Sequence, residues 1–241
     1  MLIWLAAIAY SPENLRAALG RRHGGLSLVL ENVRKENVGL IARTAEALGV
    51  PKLHLIYTAD KSFDTRSFAM LSTHAQVVTL SKISKSATDW LSIRMHSSVD
   101  ACVAALREEG TLLVATTPDM DGALDLYDSE GDADWAVRDC ALLFGSEQDG
   151  LSDELLRRAD VRVTVPQRGL VQSLNVAACA ALVLGEVTRR RARPGCEIDL
   201  SEAEVLRLQR ELHTATKARR RSKGALKAEA RAQRTTTVDG P

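Results

Sequence analysis

Short apolar runs recur along the chain and are separated by stretches of mixed polarity. Continuous runs of this kind predict buried strands at residues 26–30, 53–57, 111–115, 141–144 and 161–165. The intervening segments predict helices at residues 37–48, 98–109 and 177–191. Strands covered on both faces are apolar throughout, whereas half-exposed strands alternate. The pattern therefore predicts an α/β fold with a parallel sheet and helices on both faces.

Local signals place the ends of several helices. Ser11-Pro12-Glu13 predicts an N-cap followed by a helix through about residue 21. Ser201-Glu-Ala-Glu204 is a capping box that starts a final helix, and Pro194-Gly195 breaks the chain before it. We expect an N-terminal extension, a central domain and a C-terminal basic helix with a tail, over residues 1–25, 26–193 and 194–241. A polar segment at residues 58–89 holds a short apolar element at 75–80.

Composition is that of an ordinary soluble globular protein, with 45% hydrophobic and 26% charged residues in a chain of 241. The net charge of +1 argues against a chain that binds polyanions over its whole surface. However, residues 217–234 carry eight lysines and arginines against Glu229 alone. Such a tail suits nucleic acid, or it is a solvated, partly frayed helix end, and both interpretations stay open.

Cysteine and histidine spacing gives no metal-binding motif, so we expect no metal site. The four cysteines form no C-x-x-C pair and the five histidines do not cluster along the sequence. Cysteines in apolar segments are expected to be free thiols in a reducing cytoplasm. Residues 1–9 are apolar but short and lack a basic start, so they predict neither a signal peptide nor a membrane span.

Three polar loops follow predicted strands, where parallel α/β sheets bind their ligands. They are residues 116–119, 145–151 and 166–177. In the last loop, Pro166 and Gly169 predict a turn that leads into an Ala-rich helix. Ser173 and Asn175 lie at the start of that helix, where unpaired backbone N–H groups collect, and Ser173 is the expected N-cap. Such a corner can hold a polar ligand.

Several familiar sites are excluded by the residues around these loops. Gly145 and Gly150 have the spacing of a P-loop, but Leu151-Ser152 follows where Lys-Ser/Thr is required. No G-x-G-x-x-G follows the first strand, which argues against a dinucleotide site. Ser173 lacks the G-x-S-x-G elbow of a serine hydrolase. Simple turn chemistry would explain the two glycines, but an acid such as Glu147 in a tight loop at a strand end favours a functional role.

A further polar cluster surrounds Asn37 and Arg43. Their separation is nearly two helical turns, so the two side chains do not share one spot on the surface. Asn37 would cap the helix while Arg43 projects from its middle. An ordinary surface ion pair of Arg43 with Glu46 or Glu36 is the alternative.

Taken together, three blocks resemble the motifs of the SpoU-type (TrmH-like) RNA ribose 2′-O-methyltransferases, in the same order and near the same spacing. The blocks are Asn37-Val-Gly-Leu-Ile-Ala-Arg43, Leu143-Phe-Gly-Ser-Glu147-Gln-Asp-Gly-Leu151 and Val165-Pro-Gln-Arg-Gly-Leu-Val-Gln-Ser173-Leu-Asn175-Val. The resemblance covers roughly residues 26–193 and is closest to the tRNA guanosine-18 2′-O-methyltransferases. Two departures are Gln167, where the family usually has Met, and a longer segment at residues 58–89.

That resemblance implies a parallel-sheet α/β-knot, threaded into a trefoil, with a C-terminal helical extension. Knots are rare exceptions to ordinary chain connections. It also implies S-adenosyl-L-methionine as cofactor and an active site at a homodimer interface. The cofactor-binding residues would be Thr116, Gly145, Val165, Ser173 and Leu174.

The implied catalytic residues are Arg43, Asn37, Glu147, Ser173 and Asn175. By resemblance, Arg43 deprotonates the ribose hydroxyl. A neutral guanidine is scarce, so the alternative is that Arg43 lowers the pKa of the hydroxyl while another group accepts the proton. Asn37 would orient Arg43 or the RNA, and Glu147 would order its loop. Ser173 and Asn175 would shape the corner and bond the ribose.

The implied substrate is RNA, and a D-loop guanosine of tRNA is favoured. Residues 189–191, three arginines at a helix end, and the basic tail would contact the RNA backbone. The alternatives are methylation of ribosomal RNA, as in antibiotic self-resistance, and a non-catalytic RNA-binding module of the same fold. A small-molecule methyltransferase would leave the basic tail unexplained.

Overall fold

Seven parallel strands form one sheet in the part of the chain that the structure describes. That part of the computed structural model comprises residues 12–58, 87–128, 133–196 and 198–212. The strand order is β3-β2-β1-β6-β4-β7-β5. The strands are β1 (Leu26–Glu31), β2 (Lys52–Ile56), β3 (Ser92–His96), β4 (Leu112–Thr116), β5 (Leu124–Asp125), β6 (Cys140–Phe144) and β7 (Val161–Thr164).

Helices cover both faces of this sheet. They are α1 (Pro12–Gly20), α2 (Lys35–Ala47), α3 (Val99–Glu108), α4 (Asp153–Arg158), α5 (Val176–Arg191) and α6 (residues 202–212). Two 3₁₀ turns lie at Ala87–Trp90 and Ala133–Val137. Helices α2 and α5 share one core cluster with alternate strand residues, and α3 and α4 share a second cluster with the others. The predicted parallel sheet with helices on both faces is therefore confirmed.

The apolar strand runs follow from this two-sided cover. In β1, Leu28 and Leu30 belong to the core on the α2/α5 side, whereas Val29 belongs to the core on the α3/α4 side. All three side chains are buried. Because successive residues of a strand point to opposite faces, a strand covered on both faces is mostly apolar, and in β1 only Ser27 and Glu31 are polar.

Most predicted elements are observed within one or two residues of their expected bounds. Helix α2 begins at Lys35, two residues earlier than expected. Three elements were missed, namely β3, β5 and α4. Strand β3 lies at the edge of the sheet and is mostly half-buried, so it lacks the apolar run that marked the other strands. The element expected at residues 75–80 lies outside the described residues.

The terminal helices pack on one another in a small third core. Leu19 of α1 contacts apolar residues of α6 and of the segment before it, namely Leu200, Val205, Leu208 and Leu212. The capping box at the start of α6 is confirmed: the Ser201 N–H donates to the Glu204 carboxylate at 3.0 Å, and the Glu204 N–H donates to the Ser201 hydroxyl at 3.3 Å. The basic tail beyond residue 212 lies outside the described residues.

Two further expectations concern cysteines and membranes. All four cysteines are free thiols, as predicted, with Cys102 and Cys140 buried. Among the helices that the structure describes, none combines the length and hydrophobicity needed to cross a bilayer. The trefoil knot implied by resemblance stays a prediction.

Candidate active site

The three predicted loops meet at the carboxyl edge of the sheet around a cavity of about 450 Å³. They come together because β6, β4 and β7 are neighbours in the sheet. All five residues predicted to hold the cofactor line this cavity: Thr116, Gly145, Val165, Ser173 and Leu174. The Thr116 hydroxyl donates to the Leu143 carbonyl at 2.8 Å, which joins the ends of β4 and β6. The cavity has the size and position of a ligand site in a parallel α/β fold.

The loop after β6 closes tightly on itself. The Ser146 and Gly150 backbones exchange two hydrogen bonds of 3.0 Å each. A Cβ atom on Gly145 would lie 1.9 Å from the carbonyl carbon of Gly150, so only glycine fits at that position. Gly150 has a φ of +69°, which favours glycine as well. The backbone geometry of this turn thus explains both glycines, and the same turn places Glu147 at the edge of the cavity.

Glu147 caps helix α2 from outside that helix. Its carboxylate accepts the Arg34 N–H at 3.3 and 3.4 Å and the Asn37 side-chain amide at 2.5 Å. Arg34 is the N-cap residue of α2 and its own side chain makes no capping bond. The prediction of Asn37 as N-cap is wrong, because Asn37 lies inside the first turn and the acceptor comes from Glu147 instead. A carboxylate is also favoured there by the helix dipole.

Asn175 extends this network to helix α5. Its Oδ1 accepts the Ala177 and Ala178 N–H groups at 2.9 and 3.3 Å, so Asn175 is the N-cap of α5. Its Nδ2 donates to Oδ1 of Asn37 at 3.4 Å. The prediction that Ser173 caps this helix is therefore wrong. Glu147, Asn37 and Asn175 form one hydrogen-bonded chain that ties together the starts of two helices and the cavity wall.

Ser173 is exposed, lines the cavity and forms no side-chain hydrogen bond with the described residues. Gln167 also lines the cavity, and its buried Oε1 has no hydrogen-bond partner within the described part of the chain. Buried polar atoms are normally bonded, so this oxygen is suited to accept a hydrogen bond from a ligand. The sequence signalled Gln167 only as a departure from the resembled motif.

Arg43 projects from the exposed side of α2 and is not among the residues that line the cavity. The alternative of a surface ion pair is not observed: Glu46 pairs with Arg22 and Glu36 pairs with Lys35. Within the described residues the Arg43 guanidinium has no ion-pair partner. Leu40, one turn earlier, is 49% exposed, and Leu182 on the adjacent helix α5 is 42% exposed.

Two residues missed by sequence reasoning hold the loop between β1 and α2. Asn32 has a φ of +54°, a left-handed conformation that asparagine tolerates better than most residues. Its side chain bonds the N–H and the hydroxyl of Thr58, at 3.2 and 3.3 Å. The Tyr57 hydroxyl donates to the Val33 carbonyl at 3.0 Å. Burial, with the nearby Glu147 carboxylate, raises the pKa of Tyr57, so it remains a neutral donor.

The arginines at the end of α5 are mostly structural. Arg190 and Arg191 are buried, and only Arg189 is exposed. Arg190 and Arg191 donate to backbone carbonyls of Leu126, Asp128, Ala136, Gly24 and Arg138. The prediction that all three contact RNA is wrong for these two, because loops distant in sequence supply acceptors at the helix end. Glu186 also bonds Arg189 and Arg190, which lowers the pKa of its carboxyl to about 2.

A larger groove, of about 910 Å³, lies at the opposite edge of the sheet. It is lined by α1 and by the C-terminal ends of α2 and α5. Parallel α/β sheets bind ligands at the carboxyl ends of their strands, and this groove lies beside the residues that precede β1 and β2. The smaller cavity is therefore the candidate active site.

Comparison with known proteins identifies the family of this chain. The profile of the SpoU rRNA Methylase family matches residues 25–185. The tRNA (guanosine(18)-2′-O)-methyltransferase of Escherichia coli K12 is 30% identical over 195 residues, which cover 79% of this chain and 76% of that protein.

Solved structures give the same fold. The Aquifex aeolicus TrmH/SpoU tRNA modifying enzyme superposes with a TM-score of 0.66 at 23% identity, over 84% of this chain and 95% of that one. The SpoU methyltransferase AviRb of Streptomyces viridochromogenes, solved with AdoMet, has a TM-score of 0.55 at 26% identity, over 73% of this chain and 64% of that one.

Proposed function

This chain belongs to the SpoU rRNA Methylase family, and we propose that it methylates the 2′-hydroxyl of guanosine 18 in tRNA, the reaction named for its E. coli relative. The methyl donor is S-adenosyl-L-methionine. The single observation that supports the proposal best is the network of Glu147, Asn37 and Asn175 beside a cavity lined by all five residues expected to bind the cofactor.

The residues of this cavity fit S-adenosylmethionine. Gly145 has no side chain to cover the loop backbone, and the Gln167 oxygen is a buried acceptor. Neither that oxygen nor the Ser173 hydroxyl has a hydrogen-bond partner among the described residues. We propose that these three, with Thr116, Val165 and Leu174, hold the cofactor. When bound, the cofactor supplies a methyl group on a sulfonium, which is a good leaving group, so the protein's main task lies with the ribose hydroxyl.

Arg43 is the residue that we assign to that hydroxyl. A fixed cation beside a developing alkoxide stabilises it more in a dry site than in water. Because the pKa of arginine is about 12 or higher, Arg43 serves as an electrostatic activator more readily than as a base. Asn37 and Asn175 are held by Glu147 and by α5, and they position the ribose for attack in line with the methyl group.

A homodimer would complete this site. Arg43 is not part of the cavity wall in one chain, and its neighbours Leu40 and Leu182 are large exposed apolar side chains on adjacent helices. Exposed apolar patches mark interaction surfaces. We therefore propose that two chains bury the faces of α2 and α5 against each other and that Arg43 reaches the reacting hydroxyl across this interface.

RNA would be held by cations around the cavity. The guanidinium groups of Arg34 and Arg168 are exposed and have no ion-pair partner among the described residues. The Arg34 N–H bonds Glu147, and Arg168 follows the cavity residue Gln167, so both arginines lie near its rim. Phosphate contacts of this kind position an RNA without reading its sequence. The free thiols are consistent with a cytoplasmic location, which we propose as well.

Two other functions remain open to the same test. The second candidate function is methylation of ribosomal RNA, which the name of the family favours. The third candidate function is that of a non-catalytic RNA-binding module. We would measure methyl transfer from labelled S-adenosylmethionine to tRNA and to ribosomal RNA, together with cofactor affinity by calorimetry. Arg43→Ala should lose methyl transfer and keep cofactor affinity. Arg157→Ala, which removes an exposed arginine of α4 on the opposite face of the sheet, is the matched control.

Equal loss of transfer and cofactor affinity in Arg43→Ala would contradict the role assigned to Arg43. Label in ribosomal RNA alone would overturn the proposed substrate. A wild-type protein that binds RNA but no cofactor would support the non-catalytic module.

A further inference from the structure

A cluster of two histidines and a cysteine lies apart from the active site. His54 of β2, His96 at the end of β3 and Cys102 of α3 each offer one ligand atom, and these three atoms lie within 4.8 Å of one another. His54 and His96 are 42 residues apart in sequence, so their spacing along the chain gave no sign of this cluster. Parallel pairing of β2 with β3 brings them together, since Ile56 pairs with His96 and His54 lies two residues before Ile56.

This cluster lies between an apolar core and the ion pairs that Glu109 forms with Lys52 and Arg94. Cys102 belongs to the core on the α3/α4 side, with Ile56, Val99 and Val103. His54 and Cys102 are buried, and His96 is partly exposed. The cluster lies toward the β3 edge of the sheet, and β2 is two strands away from β6 of the active-site cavity. Burial of two imidazoles here costs free energy unless their nitrogens are satisfied.

The hydrogen bonding of His54 is incomplete within the described residues. Its Nδ1 lies 2.9 Å from Nε2 of His96, with the two rings nearly parallel, so one N–H···N bond joins them. The Nε2 of His54 is buried and has no hydrogen-bond partner in the part of the chain that the structure describes. The tautomer that avoids a buried, unpaired N–H has the His54 Nδ1–H donate to His96. The His54 Nε2 nitrogen is then unprotonated, which is the form of imidazole that binds metal ions. The His96 Nε2 lone pair accepts this hydrogen bond, so binding of zinc at that nitrogen would replace the bond.

We propose that His54, His96 and Cys102 form a zinc site that fastens strand β3 and helix α3 to strand β2. Imidazole nitrogen and thiolate sulfur are the ligands that zinc prefers over the oxygen-seeking Mg²⁺ and Ca²⁺. Around a tetrahedral zinc ion the ligand atoms stand roughly 3.5 Å apart, so side-chain rotations must draw this cluster together by about 1 Å. The partly exposed side of His96 leaves room for a water molecule as fourth ligand.

Binding would release the thiol proton of Cys102, because zinc binds the thiolate. The zinc site does not depend on the proposed methyl transfer. Its role would be to hold an edge strand that has few apolar contacts of its own.

Metal content and cobalt spectra test the site directly. The full chain would be purified without a histidine tag, loaded with zinc, dialysed against metal-free buffer and analysed for bound metal. We expect one zinc per chain. Cobalt substitution should give the thiolate-to-cobalt charge-transfer band and the visible bands of tetrahedral cobalt. Cys102→Ser should lose the charge-transfer band, and Cys179→Ser, which changes a partly buried thiol outside the cluster, should keep it.

His96→Gln gives a second test that does not empty a fully buried position. We expect zinc affinity to fall by about tenfold or more and the melting temperature of the zinc-loaded protein to approach that of the metal-free protein. Wild-type protein that retains no zinc and gives no cobalt band would overturn the proposal. Equal charge-transfer bands in Cys102→Ser and Cys179→Ser would overturn it as well. Methyl transfer by the metal-free protein would test the proposed methyltransferase function and would say nothing about the zinc site.

Discussion

Replacement of Arg191 by methionine is the sharpest test of the packing at the end of α5. Arg191 is 1% exposed and its guanidinium donates to three backbone carbonyls, those of Ala136 and Gly24 at 2.7 Å each and that of Arg138. It thereby joins α5 to the segment before β1 and to the turn before β6. Methionine keeps much of the apolar stem and removes every donor.

The expected loss in the free energy of unfolding follows from the carbonyl groups that Arg191→Met leaves without a donor. Each buried carbonyl that loses its partner costs about 1–3 kcal/mol. The variant leaves two such carbonyls, those of Ala136 and Gly24, and the partly buried carbonyl of Arg138. Part of this cost is offset, since a buried cation no longer has to be desolvated. We expect a net loss of about 3–5 kcal/mol in the free energy of unfolding. For a chain of this size that lowers the melting temperature by roughly 10 °C.

Arg189→Met is the matched control. Arg189 is exposed, and its partner Glu186 also pairs with Arg190, so Arg189→Met should leave the urea midpoint close to that of the wild type. We would measure urea unfolding, thermal melts and tRNA affinity for both variants. These measurements distinguish a packing role of Arg191 from a contact of Arg191 with RNA. Equal stability of the two variants, with tRNA affinity reduced in Arg191→Met, would refute the placement of Arg191 in the core.

Three further predictions follow from single contacts. Glu186→Gln should lower the urea midpoint at neutral pH, and the midpoint of the variant should fall less in acid than that of the wild type. The carboxyl of Glu186 has a pKa of about 2 in the folded protein, against an ordinary value of 4.5. The stability that it contributes is therefore present above pH 4.5 and is lost as the pH falls toward 2. Gln167→Met should raise the melting temperature without cofactor and weaken S-adenosylmethionine binding by about fivefold in calorimetry, and unchanged affinity would argue against a contact with the cofactor. Gly145→Ala should weaken cofactor binding at least about tenfold, because the added methyl group would lie 1.9 Å from the Gly150 backbone. Wild-type affinity in this variant would show that the loop accommodates the methyl group without disturbing the cofactor site.

Much of the fold was predictable because both faces of the sheet are buried. Strands β4 and β6 are apolar at nearly every position, and β1 is apolar at four of its six positions, so the sequence shows these runs directly. Strand β3 was missed because an edge strand needs no such run. The loops after β4, β6 and β7 were found because each follows a recognisable strand.

Pairings across the chain were not predictable from the sequence. Glu147 and Asn37 are 110 residues apart, and only the sheet order brings the first to the start of α2. Asn175 and Ser173 both had the chemistry of an N-cap, and the choice between them depends on where the turn ends. Arg190 and Arg191 had the composition of an RNA-binding cluster, yet their acceptors come from loops elsewhere in the chain.

The central claim is methylation of the ribose of guanosine 18, the position named for the E. coli relative. It is tested most directly with two tRNA transcripts that differ only in the sugar of that nucleotide, ribose in one and 2′-deoxyribose in the other. With labelled S-adenosylmethionine, the account predicts incorporation into the ribose transcript, mapped to guanosine 18, and none into the deoxyribose transcript. Equal labelling of both transcripts, or a product that maps to a base, would contradict it.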